Sequence, residues 1–198
     1  MVDQKIGAII MAGGKSSRMG SDKGMQLLNG KPLVGYAIAA LLPICGDIII
    51  STNNADYEQF GFTTIGDNYT EIGPLGGLQA ALRASKYQHN LVLSCDNPFV
   101  TTELLKKLAF TGFDNCCYLD QNKELHPLIG FYSKEIIVNI EFQIAKKNYK
   151  MMDLLELINC QLYSPSKAFL QANPYIDMNI NTPEQLLKAE EILRTRKG

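Results

Sequence analysis

The strongest constraint on the fold lies near the start of the chain, where the apolar run Ile6 to Met11 passes directly into the glycine-rich stretch Ala12 to Lys23, AGGKSSRMGSDK. An apolar run with no polar alternation belongs to a strand buried on both faces, as in a parallel sheet. Asp47 to Thr52 and Leu91 to Ser94 repeat that pattern. Between these runs, Leu33 to Leu42 has helical spacing and is closed by Pro43, and Leu75 to Lys86 is opened by Gly73 and Pro74. Strand, helix, strand, helix in that order predicts right-handed crossovers and an open, mostly parallel α/β sheet. Further on, Thr102 to Leu108 reads as a helix, Leu128 to Tyr132 as a strand, and Lys134 to Lys147 and Met151 to Ile158 as helices. Ser164 to Pro174 has no clear period. Thr182, Pro183, Glu184 and Gln185 form a capping-box start for a last helix that runs to about Arg194.

At 198 residues the chain is sized for one domain with a substantial core. We expect residues 1–198 to form that single domain, with a nucleotide half over about 1–110 and an acceptor half over about 111–198. Nineteen basic and twenty acidic residues leave a formal net charge of -1, so no global positive field holds a nucleic acid or an anionic membrane. Any phosphate binding must be local. The start lacks a signal-peptide pattern and no apolar stretch reaches bilayer length, which predicts a cytoplasmic protein. Five cysteines without CxxC pairs read as reduced packing residues.

Three segments carry chemistry. In an open parallel sheet ligands bind beyond the carboxyl ends of the strands, and the loop after the first run stands there. Gly13 and Gly14 let a phosphate approach backbone N–H groups, while Lys15, Arg18 and Lys23 supply charge. A Walker loop would need glycine at position 9, which is Ile9, and no G-x-G-x-x-G spacing starts at Gly13 or Gly14. In the second segment, LVLSCDNP, the strand ends near Asp96, a carboxylate suited to holding Mg2+ against phosphate oxygens. That aspartate competes with a simple role as a helix cap, although Thr101 and Thr102 are closer caps. The third segment joins Gly66 and Asp67 to GPLGGL at 73 to 78. Small residues at a helix start admit a ligand. Asp67 can accept two adjacent donors such as the N1–H and N2 amino group of guanine, or can serve only as a turn residue.

With AGGKSSRMGSDK at 12 to 23, GPLGGL at 73 to 78, CDNP at 95 to 98 and NINTPEQL at 179 to 186, the chain resembles the molybdenum cofactor guanylyltransferases. The resemblance implies a three-layer, Rossmann-like nucleotidyltransferase fold. It also implies transfer of GMP from GTP to the molybdopterin cofactor with Mg2+, forming the guanine dinucleotide and pyrophosphate. By motif, Met11, Ala12, Gly13 and Gly14 would line the nucleotide, and Lys23 with Arg18 would act on the phosphates. Asp96 would hold the metal, Asp67 the guanine, and Asn54 rather than Asn53 the nucleotide; Asn179 and Asn181 would stand near the pterin. Met178 stands where the family commonly has an aromatic residue. Transient contact with proteins that deliver or receive the cofactor is implied as well. Two alternatives remain open on the residues: a relative using CTP or a sugar-1-phosphate acceptor, and a non-catalytic nucleotide-binding regulator.

Overall fold

Strand β1 (Gly7–Met11) is buried at every residue, as its unbroken apolar run requires. The computed structural model to which it belongs describes residues 6–13, 22–69 and 71–195. After the loop a two-stranded hairpin, β2 (Leu27–Leu28) and β3 (Lys31–Pro32), turns through Asn29 and Gly30, both at positive φ. Helix α1 (Leu33–Leu41) follows, then β4 (Asp47–Ser51), a 3-10 segment Ala55–Phe60 and β5 (Thr63–Ile65). Next come α2 (Pro74–Ala84), β6 (His89–Ser94) and α3 (Thr102–Ala109). The second half contributes β7 (Asn115–Leu119), β8 (Leu125–Ser133), α4 (Ile137–Ala145), α5 (Met151–Leu157), β9 (Gln161–Tyr163), α6 (Lys167–Ala172) and α7 (Pro183–Thr195).

Seven strands form one sheet in the order β5-β4-β1-β6-β8-β7-β9. β1 pairs in parallel with β4 on one side and β6 on the other, and β8 alone runs against its neighbours. Side chains alternate between the faces of a strand. Accordingly Ile10, Ile48, Ile50, Leu91 and Leu93 pack with Val34 and Leu41 of α1 and Leu104 and Leu108 of α3. Ile9, Met11, Ile49 and Val92 turn to the other face and meet Leu75, Leu78 and Leu82 of α2, Ile140 of α4 and Leu154 of α5. The result is the expected three-layer α/β fold with a mostly parallel central sheet. Each such buried aliphatic side chain contributes about 1.5–3 kcal/mol by leaving water.

A separate apolar patch joins Leu28, Leu33, Phe99 and Ile180 to Ala189 and Ile192 of α7, so the last helix closes over the hairpin. Its start is the predicted capping box: Gln185 accepts from the Thr182 N–H at 3.1 Å, and the Thr182 hydroxyl accepts from the Gln185 N–H at 3.3 Å.

Several boundaries differ from the sequence reading. The strand read at Leu128 to Tyr132 extends over Leu125–Ser133. The helix read from Lys134 opens as a 3-10 turn, Lys134–Ile136. Ser164 to Pro174 contains α6, which starts at a Ser166 side-chain cap and buries no residue fully, so no apolar stripe marks it. Among the described residues, all five cysteines are free thiols, and burial pushes Cys45 up to about 12 and Cys116 up to about 11. No helix of the described residues is long and apolar enough to cross a membrane.

Candidate active site

At the carboxyl ends of β1 and β4 lies a cavity of about 700 Å3, sized for a small ligand. From β1 the chain runs through α1 to β4 and β5 on one side, then returns through α2 to β6 on the other side of β1, so the start of α2 comes to lie over the ends of β1 and β4. Met11, Ala12 and Gly13 line the cavity from β1, Ser51 to Asn54 from β4, Asp67 from the turn after β5, and Gly73, Pro74 and Gly77 from the start of α2. The Ala12 N–H donates to the Ser51 carbonyl at 2.9 Å, which ties the loop to β4 as it leaves the sheet. Among the described residues, a Cβ at Gly13 would meet nothing nearer than the Ser51 carbonyl at 3.8 Å. Gly77 is different. A Cβ there would stand 2.4 Å from Ser51 Oγ, 2.9 Å from Asp67 Oδ1 and 3.1 Å from Met11 Cε, so the missing side chain keeps one end of the cavity open.

Asp67 stands at that end, its N–H donating to Asn53 Oδ1 at 2.9 Å. Burial pushes its carboxyl above the usual carboxylate range. Ser51 lies beside it, 1% exposed, with a hydroxyl that has no hydrogen-bond partner among the described residues. A buried unpaired hydroxyl is costly, and here it faces the cavity.

At the other margin is a residue that sequence reasoning passed over. Asp22 accepts from the Gly24 N–H at 3.0 Å, from the Tyr57 hydroxyl at 2.5 Å and from Asn54 Nδ2 at 3.0 Å. This carboxylate thus fastens the end of the loop to the segment after β4. Asn54 also accepts from the Asp56 N–H at 2.9 Å, so both ends of its amide are engaged within the protein. Close approach explains Gly24: a Cβ there would stand 2.1 Å from the Tyr57 hydroxyl.

Lys23 and Asp96, read separately from the sequence, meet in the structure. Lys23 Nζ lies 2.9 Å from Asp96 Oδ2 and 2.5 Å from Asn181 Oδ1. Asn181 comes from a segment 158 residues further along the chain, held in place because the Ile180 N–H donates to the Asp96 carbonyl at 2.9 Å. Two hard oxygens therefore converge on one cationic point, and such donors suit Mg2+. Asn181 accordingly sits with the charged pair. Gly14, Lys15 and Arg18 lie outside the described residues.

The fold is shared with solved structures. The fold matches that of a molybdopterin-guanine dinucleotide biosynthesis protein A from Archaeoglobus fulgidus, with a TM-score of 0.77 at 23% identity over 96% of this chain and 100% of that one. It also matches a 4-diphosphocytidyl-2C-methyl-D-erythritol synthase from Anaerococcus prevotii, with a TM-score of 0.70 at 14% identity over 96% and 99%. These likenesses are of fold: a mostly parallel sheet flanked by helices, in which the cavity of this chain lies beyond the ends of β1 and β4.

Sequence comparison is narrower. Residues 8–162 match the family described as "MobA-like NTP transferase domain", and a Flavobacterium johnsoniae protein named "Probable molybdenum cofactor guanylyltransferase" is 37% identical over 89% of this chain and 92% of its own length. The chain belongs to the MobA-like family of molybdenum cofactor guanylyltransferases.

Proposed function

We propose that this protein transfers GMP from GTP to the molybdopterin cofactor, forming molybdopterin guanine dinucleotide and pyrophosphate. The observation that carries the reading is the convergence of Lys23, Asp96 and Asn181 beside a cavity that has Asp67 and Gly77 at one end. In the proposed reaction a phosphate oxygen of the acceptor attacks the α-phosphorus of GTP. A new P–O bond forms, the α–β bridging P–O bond breaks, and its electron pair leaves with pyrophosphate. The attacking oxygen is already ionised near neutral pH, so no histidine base is needed. Charge neutralisation and in-line placement supply the acceleration.

In this reading Met11, Ala12, Gly13 and Gly14 line the nucleotide, Asp67 accepts the N1–H and N2 donors of guanine, and Lys23 with Arg18 neutralises phosphate charge. Asp96 and Asn181 would hold Mg2+, which when bound neutralises triphosphate charge. Asn54 acts on the nucleotide side by holding Asp22 in place, as its two engaged amide ends suggest. Asn179 remains with the acceptor. Residues 1–198 work as one domain, the first half serving the nucleotide and the second half the acceptor. Free thiols and the lack of a spanning helix among the described residues are consistent with action in the cytoplasm, where proteins delivering or receiving the cofactor would make transient contact.

A related reading is cytidylyl transfer, since the Anaerococcus prevotii protein has the same fold. The deciding experiment incubates the protein with molybdopterin, magnesium and each of the four nucleoside triphosphates, and measures pyrophosphate. Release with GTP is expected. Release with CTP instead would overturn the proposal.

A further inference from the structure

Away from the nucleotide cavity, Asp120, His126 and Asp177 bring one ligand atom each to within 4.8 Å of one another. Among the described residues this is the only such grouping of histidine, cysteine or acidic side chains, and it excludes Asp96. Asp120 follows the last residue of β7, His126 is the second residue of β8, and Asp177 lies in the segment that leads to Ile180 and Asn181.

The spacing is wrong for a strong ion pair. Asp120 Oδ2 and His126 Nε2 stand 3.4 Å apart, longer than an ordinary charged hydrogen bond. The same distance is the edge of a tetrahedron whose corners lie about 2.1 Å from a central ion, the usual length of zinc–nitrogen and zinc–oxygen bonds. The remaining oxygen of Asp120 is already spoken for. It accepts the Asn122 and Glu124 N–H groups, each at 2.8 Å, and so the carboxylate is fixed with Oδ2 turned toward the cluster. Orientation of a ligand by its second oxygen is the usual outer support of a metal site.

A second observation points the same way. Tyr118 is 0% exposed, and its hydroxyl, which stands beside Asp177, makes no hydrogen bond of full geometry among the described residues. Its ring lies against that of His126 at a centroid distance of 5.2 Å. A buried donor without an aligned acceptor is costly. An ion that draws Asp177 inward would fix the carboxylate oxygen this donor needs.

We propose that Asp120, His126 and Asp177 form a second divalent-cation site, selective for a borderline ion of the zinc class over magnesium and buttressed by Tyr118. Mixed imidazole and carboxylate donors favour such ions, whereas magnesium prefers oxygen alone. Bound there, the ion staples the β7–β8 turn to the segment that carries Asn181. The proposal does not depend on which nucleotide the enzyme uses.

The test uses untagged full-length protein stripped with a chelator and titrated separately with Zn2+, Co2+ and Mg2+. One Zn2+ per chain is expected, with a raised melting temperature. Co2+ should give visible absorption without thiolate charge transfer, and Mg2+ should leave the site untouched. His126→Ala and Asp177→Ala should weaken Zn2+ binding by more than about 100-fold, and Tyr118→Phe by about tenfold, the usual scale for an outer-shell partner. Asp96→Asn should keep it. Circular dichroism establishes that each variant is folded. Absence of tight Zn2+ binding, survival of binding in folded His126→Ala and Asp177→Ala, or its loss in Asp96→Asn would overturn the proposal.

Discussion

Gly77→Ala is the most discriminating perturbation, because function should respond where folding hardly does. Within a helix alanine is favoured over glycine by about 0.8–1.0 kcal/mol. Against this, the new Cβ would stand 2.4 Å from Ser51 Oγ and 2.9 Å from Asp67 Oδ1. Ordinary contact near 3.5 Å then requires the serine hydroxyl to move by about 1 Å and the carboxylate by about 0.6 Å. Asp67 is half-buried and can yield outward, so we expect stability to change by less than about 1 kcal/mol. Recognition should not survive the shift. A charged hydrogen bond is worth about 1.5–3 kcal/mol, so misplacing Asp67 should cost GTP roughly ten- to a hundredfold in kcat/KM. ITP lacks the N2 donor and has less to lose, so the GTP to ITP ratio should fall toward one. The assay is kcat/KM for both nucleotides with molybdopterin as acceptor, beside a melting curve. An unchanged ratio in a variant as stable as the parent would refute the placement of guanine over Gly77.

The remaining predictions concern the charged groups. Asp96→Asn should abolish transfer at saturating magnesium while leaving the melting temperature near that of the parent. Lys23→Ala should lower kcat/KM by about 2–5 kcal/mol, roughly 30-fold to several thousandfold, read by steady-state pyrophosphate release. Tyr57→Phe removes the hydroxyl that donates to Asp22 at 2.5 Å, and should cost about 1.5–3 kcal/mol, a fall of several degrees in calorimetry. Burial raises the Asp67 carboxyl, and only its ionised form accepts the guanine donors, so KM for GTP should climb on acidification before ordinary carboxylates titrate, and Asp67→Asn should lose that limb. The folding sign is opposite. A raised carboxyl contributes stability that is fully present below its unfolded pKa and is lost as pH rises through its folded pKa.

Much of the first part of the chain and its last helix were legible because their signals are local. An unbroken apolar run, a proline at a helix start and a capping box each state their structure within a few residues, and β1, α2 and α7 follow them closely. What escaped depends on partners. β5 and β9 have three residues each and exist because β4 and β7 present edges to them. β7, with its adjacent cysteines, reads neither as alternation nor as a long apolar run. In the candidate site, Lys23 and Asp96 were legible as residue types in the connections that follow β1 and β6. Their meeting with Asn181 rests on a turn docked by the Ile180 N–H, and no local pattern encodes it. Asp22 was missed for the same reason, since two of its three partners come from the segment after β4.

The docking of Ile180 on Asp96 also orders events in time. A ribosome makes the residues that line the cavity first, since Met11, Asp67 and Gly77 emerge well before Asn181. Until the final segment clears the exit tunnel, Lys23 and Asp96 lack their third partner. A chain that stops before Ile180 would lack Asn181 beside Lys23 and Asp96, together with Ile180, Ala189 and Ile192 of the patch that closes over the hairpin, so on the proposed reading it would not complete transfer.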